Sequence, residues 1–437
     1  MSTRPRILLI GTLDTKGSEI AYVRDRLIAL GARPTVIDSG IMGSPLDIVP
    51  DIDRQHVAAA AGRSIDAVRR AGSRGAAVTQ MSEGLRKVCS DLWESGHADG
   101  ALCLGGAEGA LLGAAAMQML PVGVPKLIIT PCASGRRRFA PFVGESDITL
   151  MHSVVDIIGL HSLARTIFDN AAAAVVGMAR NSSTHRGAAT ADGFPAQVGV
   201  TMLGNTTPGV MRLRTRLDDA GYETVVFHAN GVGGALMERT AVGGSFAGII
   251  DYTLAEISNT LMDGILTAPP ERLSISAESA LPRIVVPGGV DFFNQPAPVP
   301  AQWQCRQTYH HNPSSTLVRL LPGEMRSVGE TLAHRLNAAR GPVRVVVPTR
   351  GFSLNDVPGG RLWNPDADAA FIDALTSTLQ PHIAVDLVPT HVNDPAFADI
   401  VAEHFISLVR RSNSAPDSRP AASGGRHSRQ PSPVGGP

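Results

Sequence analysis

The sequence predicts an α/β protein of two Rossmann-like, doubly wound parallel-sheet subdomains with a cleft between them. Three observations carry that prediction. Short, β-branched apolar runs alternate with longer amphipathic stretches. Most of the apolar runs end in a glycine-rich turn. The strand, Gly-Thr-rich loop and helix that open the chain are echoed after a polar, unpatterned stretch midway.

The opening unit is the clearest. Ile7 to Ile10 has the length and branching of a strand covered on both faces. A loop carrying Gly11, Thr12, Asp14, Thr15 and Lys16 follows. Ser18 and Glu19 suit a helix cap and first turn, and Ile20, Val23, Leu27 and Leu30 recur at helical spacing. Pro34 to Asp38 reads as a second strand, Arg54 to Ala71 as an amphipathic helix and Gly75 to Thr79 as a third strand. Ala101 to Leu104 is a buried strand closed by Gly105-Gly106-Ala107-Glu108-Gly109. Val124 to Thr130 is another, followed by a basic loop with Arg136 to Arg138. Helices over Ser153 to Phe168 and Asn170 to Ala179 complete residues 1–180.

Residues 181–195 read as a linker. In the second subdomain, 196–410, Val198 to Leu203 leads into Gly204-Asn205-Thr206-Thr207-Pro208-Gly209 and a helix with Val210, Leu213 and Leu217. Further strands are expected at Thr224 to His228, Gly248 to Asp251, Arg283 to Val286, Val343 to Val347 and Ile383 to Val388. The Ser-, Pro-, Arg- and Gly-rich stretch 411–437 is expected to be disordered.

Composition bounds the function. At 437 residues the chain is comfortable for two domains, and 43% hydrophobic with 4% aromatic content describes a core of Ala, Val, Ile and Leu. A formal net charge of zero provides no electrostatic footprint for nucleic acid or an anionic membrane. No secretory or membrane-spanning run is present. Cys89, Cys103, Cys132 and Cys305 form no C-x-x-C pair, which fits reduced thiols and a cytoplasmic location.

Ligands of such sheets sit beyond the carboxyl ends of strands. In the first half those ends offer Thr12, Asp14, Thr15, Lys16, Asp38, Glu83 and the Gly105-Gly106-x-x-Gly109 loop. Lys16 precedes Gly17, the reverse of the Walker order, and no G-x-G-x-x-G is present. The two glycine loops together nonetheless favour a nucleotide phosphate. Asp14 is read either as a magnesium ligand or as a turn cap. In the second half, His228, Glu238, Asp251, Glu256, Asp291, His310, His311, Asn312 and His391 are the candidates. His310 and His311, if in one strand, face opposite sides and cannot both ligate one metal in regular geometry. Gly243-Gly244-Ser245-Phe246-Ala247 precedes a strand instead of following one, so it is no nucleophile elbow.

Several motifs resemble one family. They are Ile10-Gly11-Thr12-Leu13-Asp14-Thr15-Lys16-Gly17-Ser18-Glu19, Phe142 to Thr149, Gly204 to Val210, Phe227-His228-Ala229-Asn230-Gly231-Val232-Gly233-Gly234, Pro287 to Asp291, His311-Asn312-Pro313 and His391 to Pro395. Over residues 5 to 405, in order, these resemble the Tm-one-like ATP-binding domain family. The resemblance implies two Rossmann-like subdomains, ATP binding and a homodimer. The chain departs from the family pattern at Tyr252 to Glu256, at Asn364 and at Arg136 to Arg138.

The leading expectation is a cytoplasmic ATP-dependent enzyme acting on a small molecule. Gly11, Thr12, Asp14, Thr15, Lys16, Gly105, Gly106 and Gly109 would hold ATP, with Mg2+ as an option. Asp291, His310, His311 and Glu256 would serve catalysis. Two alternatives stand beside it: a nucleotide sensor without turnover, and a metal-dependent hydrolase or lyase using the second-half His, Asp and Glu residues.

Overall fold

A computed structural model describes residues 4–134, 140–186 and 195–414. The chain divides into two compact units, Met1–Phe194 and Pro195–Pro437.

The first unit runs β1 (Arg6–Gly11), α1 (Leu13–Ala29), β2 (Arg33–Asp38), α2 (Arg54–Ala60), α3 (Ile65–Arg69), α4 (Arg74–Glu94), β3 (Gly100–Leu104), α5 (Ala107–Met117), β4 (Lys126–Thr130), α6 (Ala140–Val143), β5 (Thr149–His152) and α7 (Ser162–Arg186). Its strands form one parallel sheet in the order β2-β1-β3-β4-β5. Alternation along β1 explains the layering. Ile7 and Leu9 pack with Ile20, Val23 and Leu27 of α1 and with α7, while Leu8 and Ile10 pack against α2, α4 and α5. Both faces are covered, so β1 reads as an unbroken apolar run.

The second unit runs β6 (Ala196–Met202), α8 (Thr207–Asp219), β7 (Tyr222–His228), α9 (Gly233–Val242), β8 (Gly248–Thr253), α10 (Ala255–Leu261), β9 (Arg283–Gly288), β10 (Phe292–Pro296), β11 (Thr308–Asn312), β12 (Ser315–Arg319), α11 (Pro322–Asn337), β13 (Val343–Pro348), α12 (Pro365–Thr378), β14 (Ala384–Val388) and α13 (Pro395–Ser414). Six strands form a parallel sheet in the order β14-β13-β9-β8-β6-β7. Strands β10, β12 and β11 form a small antiparallel sheet inserted between β9 and β13. The α/β class and the two Rossmann-like sheets thus agree with the sequence. Among the described residues no helix is long and apolar enough to cross a membrane.

Five local expectations are corrected. Gly75 to Thr79 is helical: Ser73 caps α4 by accepting from the Ala76 amide, and Ala77, Met81, Leu85 and Val88 bury one helical stripe. The Arg54 to Ala71 helix is two helices, broken where Gly62 sits at φ +72 and Ser64 caps α3. Helix α1 starts at Leu13, ahead of Ser18 and Glu19. Residues 153–179 form a loop after β5 and a single helix, α7. The second half is not purely parallel. Helix α7 continues into the expected linker as far as Arg186, and α13 ends at Ser414; residues 187–194 and 415–437 lie outside the described residues.

Candidate functional site

In the first unit, β1 leads out to β2 on one side and the chain then returns to place β3 on the other. The crevice at such a reversal, beyond the carboxyl ends of the strands, is where open α/β sheets take ligands. A cleft of about 930 Å3 opens there. Thr12, Asp14, Thr15 and Lys16 line it from the β1 end, Ser39, Ile41 and Met42 from the β2 end, and Gly106, Glu108 and Gly109 from the β3 end. Arg69, Arg70, Ser73 and Arg74 come from the ends of α3 and α4, and Ala77, Val78 and Leu112 supply apolar wall.

The local chemistry of this cleft is cationic and rich in amide donors. The N-cap residues of α1 and α5, Thr12 and Gly106, make no side-chain cap hydrogen bond, but the Asp38 carboxylate takes the first amide of α1, that of Leu13. A start such as that of α5 leaves backbone N–H groups free, and both starts carry the positive end of a helix dipole. Gly105 lets the β3 end pack closely on α5, because a Cβ there would lie 2.5 Å from the Ala110 nitrogen. The Lys16 ammonium donates to the Ile157 carbonyl. Arg74 pairs with Glu108 at 2.8 Å, whereas Arg70 is exposed and has no charged partner among the described residues.

Two first-half carboxylates are engaged by protein donors. The Asp38 carboxylate accepts from the Leu13 and Gly40 amides at 3.2 and 2.9 Å and from Arg54 at 2.7 Å. Asp38 is fully buried, so it cannot read a ribose as the acid of a dinucleotide fold does. Asp14 accepts from the Gly43 amide at 3.0 Å and lies 3.6 Å from Arg54. The pair Asp14 and Asp38 thereby fixes the Gly40–Gly43 turn that carries Ile41 and Met42 to the cleft. Glu83, on α4, pairs with Arg63 away from any strand end.

The second unit treats its strand ends differently. Glu256 is fully buried; one oxygen accepts from the Gly231 and Gly234 amides and the other from Arg272 at 2.8 Å. Arg272 also binds Glu238 at 2.6 Å and Asp251 at 2.5 Å, and Arg283 adds a further contact to Glu238 at 2.9 Å. Burial raises the Glu238 pKa, but the Arg272 and Arg283 guanidinia outweigh it and hold that carboxyl below the usual range. The Phe227 to Gly234 motif is the turn that seats on this network.

Asp291, just beyond β9, belongs to another buried group. Its side chain accepts from Ser353 at 2.8 Å, while Arg319 donates to its main-chain oxygen at 2.7 Å and also binds Asp368. Asp356 accepts from the Phe352 amide at 2.9 Å. One oxygen of Asp291 and one of Asp356 are buried without a hydrogen-bond partner. Burial, with the neighbouring Asp356 charge, pushes Asp291 up to about 7 against the pull of Arg319. Asp356 is likewise pushed to about 7 and Asp368 to about 6, burial leading in both. Burial lowers the His391 pKa; its Nε2 contacts the Ser353 carbonyl at 2.9 Å and its Nδ1 accepts from the Asn393 amide.

His310, His311 and Asn312 are exposed on β11, where the pairing register shifts between His310 and Asn312. His228 is exposed at the end of the edge strand β7. Among the described residues no cluster of His, Cys, Asp and Glu could hold a metal ion. Arg136 to Arg138 lie outside the described residues. Six of the eight first-half residues, Thr12, Asp14, Thr15, Lys16, Gly106 and Gly109, therefore line one cleft, Gly11 and Gly105 lying behind them, while Glu256, Asp291 and the histidine pair belong to separate surroundings. Sequence reasoning missed Arg69, Arg70 and Arg74. The paired caps Ser64 and Ser73, each three residues before the amide it caps, were the signal that could have placed them at helix ends.

Family models match both units. The Uncharacterised protein family (UPF0261) N-terminal domain matches residues 5–184, and the corresponding C-terminal domain matches residues 196–409. A UPF0261 protein of Mesorhizobium japonicum is 36% identical, covering 93% of this chain and 99% of its own. One from Clostridium tetani is 33% identical over the same shares. The ToMV resistance protein Tm-1 of Solanum lycopersicum is 32% identical over 94% of this chain and 57% of its own length. The chain therefore belongs to the UPF0261 family, together with the tomato Tm-1 protein.

Proposed function

We propose that the chain binds ATP in the cleft of its first unit and works as an ATP-dependent enzyme on a small molecule. One observation carries the reading: the α5 helix start, which has no side-chain cap, and the cations Lys16, Arg69, Arg70 and Arg74 line the same cleft. Its volume of about 930 Å3 lies in the upper range of small-molecule sites, which leaves space for a substrate beside the nucleotide. Phosphates belong at the β1–α1 junction from Gly11 to Lys16 and at the Gly106 turn. Ile41, Met42, Val78 and Leu112 provide an apolar surface for a base. Magnesium would arrive on the phosphates, since Asp14 is already engaged by the Gly43 amide and Arg54.

A nucleotide sensor without turnover is the second reading, and it also has a specific support. Glu256 and Asp291, the carboxylates expected to serve catalysis, are both fully buried. The metal-dependent reading draws no such support, because its four residues sit in separate surroundings. A cytoplasmic homodimer rests on composition and resemblance, and sedimentation velocity tests the dimer.

Calorimetric titration with MgATP tests the site. Wild type is expected to bind, Arg70→Glu to bind about tenfold more weakly, and Asp291→Asn to bind as wild type, tenfold corresponding to about 1.4 kcal/mol. Absence of heat with wild type contradicts the nucleotide reading. Steady-state phosphate release then separates enzyme from sensor.

A further inference from the structure

Lys16 has two neighbours of different kinds. It lines the cleft, and its ammonium donates to the main-chain carbonyl of Ile157, in the loop between β5 and α7. The backbone is shaped for this. Lys16 is non-helical inside α1, at φ −131 and ψ 20, so the helix bends at the residue whose side chain reaches across. Three residues on, Glu19 is only 5% exposed and accepts from the Gly159 amide at 2.6 Å. Two side chains of α1 thus grip the loop at alternate residues.

The other anchors sit at the ends of the loop, where the Ser153 amide donates to the Thr130 carbonyl at 3.2 Å and the Leu160 carbonyl accepts from Arg165 at 2.8 Å. The Ile157 side chain is buried, but Val154 and Ile158 are 64% and 67% exposed. The Val155 amide contacts the Ser153 carbonyl and the Ile158 amide the Asp156 carbonyl, which are contacts within the loop itself. Val154 sits at φ 62, a left-handed conformation that a β-branched residue disfavours. A segment with few buried apolar contacts and local hydrogen bonds opens readily.

An ammonium carries three donors. The Ile157 carbonyl takes one, and the others are available to an anion in the cleft. An anion bound by those donors while the carbonyl keeps the first would confine the ammonium to one position and so strengthen its hold on both partners. We propose that Lys16 is a shared tether, joining a phosphate in the cleft to residues 153–160, so that filling the cleft orders this strap and its exposed Val154 and Ile158. The proposal rests on the nucleotide reading of the same cleft. Coupling is reciprocal: whatever loosens the strap must weaken ligand binding by the same factor.

Hydrogen exchange read by mass spectrometry tests it, with and without MgATP. In wild type, MgATP is expected to slow exchange over residues 157–160 by about threefold or more. Lys16→Met keeps the apolar stem and removes the donors. Its strap is expected to exchange faster than wild type without ligand and to gain no protection at MgATP concentrations that restore occupancy. Lys16→Arg keeps charge and donors and is expected to retain the protection, which guards against a Met variant that folds poorly. Calorimetric binding by wild type with unchanged exchange over 153–160 overturns the tether and leaves the nucleotide reading standing. Protection retained in Lys16→Met overturns the tether in the same way. Absence of binding heat overturns both.

Discussion

The two units share a topology and treat its key position in opposite ways. In the first, the strand ends beside the β1/β3 reversal open onto a cleft of backbone amides, arginines and Lys16. In the second, the reversal falls between β6 and β8, and its surroundings are closed by hydrogen bonds. The Asn205 carbonyl accepts from the Leu354 amide and from Asn393, and Thr206 shares a hydrogen bond with Thr253 at 2.7 Å. The loop after β13 folds inward, burying Phe352, Ser353, Asp356 and Leu362. A reversal of strand order therefore offers a position and not a function. What the loops do there decides the outcome: held apart they leave a binding volume, and folded inward they turn the same position into core.

The contrast can be broken by substitution. The largest effect is expected in the second unit at Arg272, which holds three buried carboxylates. Arg272→Met leaves Glu238, Asp251 and Glu256 without their main counter-charge and should cost about 3–5 kcal/mol in urea unfolding. A loss below about 1 kcal/mol would mean that packing, and not charge, organises that unit. In the first unit, Gly17 is the point where the loop after β2 packs on α1. A Cβ there would lie 1.8 Å from the Leu46 carbonyl, so Gly17→Val should cost about 2 kcal/mol or more and distort the cleft wall. Weakened ATP binding in this variant, together with the melting shift, would tie the wall to the site.

The acid cluster predicts a pH dependence. Asp291 is raised to about 7 in the folded chain, above its unfolded value of about 3.9. Between those values the folded state holds the extra proton, so stability falls as pH rises from about 4 to 7 and levels off above. Asp291→Asn should therefore gain about 1–3 kcal/mol at pH 8 relative to wild type and little at pH 4. A variant equally destabilised at both would assign Asp291 a packing role. The smallest expected effect is Arg70→Ala, within about 0.5 kcal/mol of wild-type stability because the side chain is exposed, yet weaker in ATP binding. That split between stability and binding is what the open cleft predicts and the closed one does not.

The parallel strands were legible because two-sided burial writes itself as β-branched runs: Ile7 to Ile10 and Ala101 to Leu104 needed no further context. The stretch from Gly11 to Lys16 was legible as a strand-to-helix junction for the same reason, though not that its helix begins at Leu13. Gly75 to Thr79 misled because Val78 and Thr79 favour a strand locally, while Ser73 and the stripe from Ala77 to Val88 win through packing. The site's arginines stayed hidden because cation position depends on where α3 ends and α4 begins. Pairing was hidden most completely. Glu256 looks like any candidate acid in sequence, and only folding brings Arg272 to it from sixteen residues away. His310 and His311 likewise gave no sign that β11 would leave them exposed.

Whether the ligand site belongs to the first unit is decided most directly by photolabelling with an azido-substituted ATP and mapping the modified peptides. Label is expected on residues 69–78 and 106–112, suppressed by excess ATP. Competable label confined to peptides around Asn205, Ser353 and His391 would contradict this, and would put the site at the strand ends that the second unit closes.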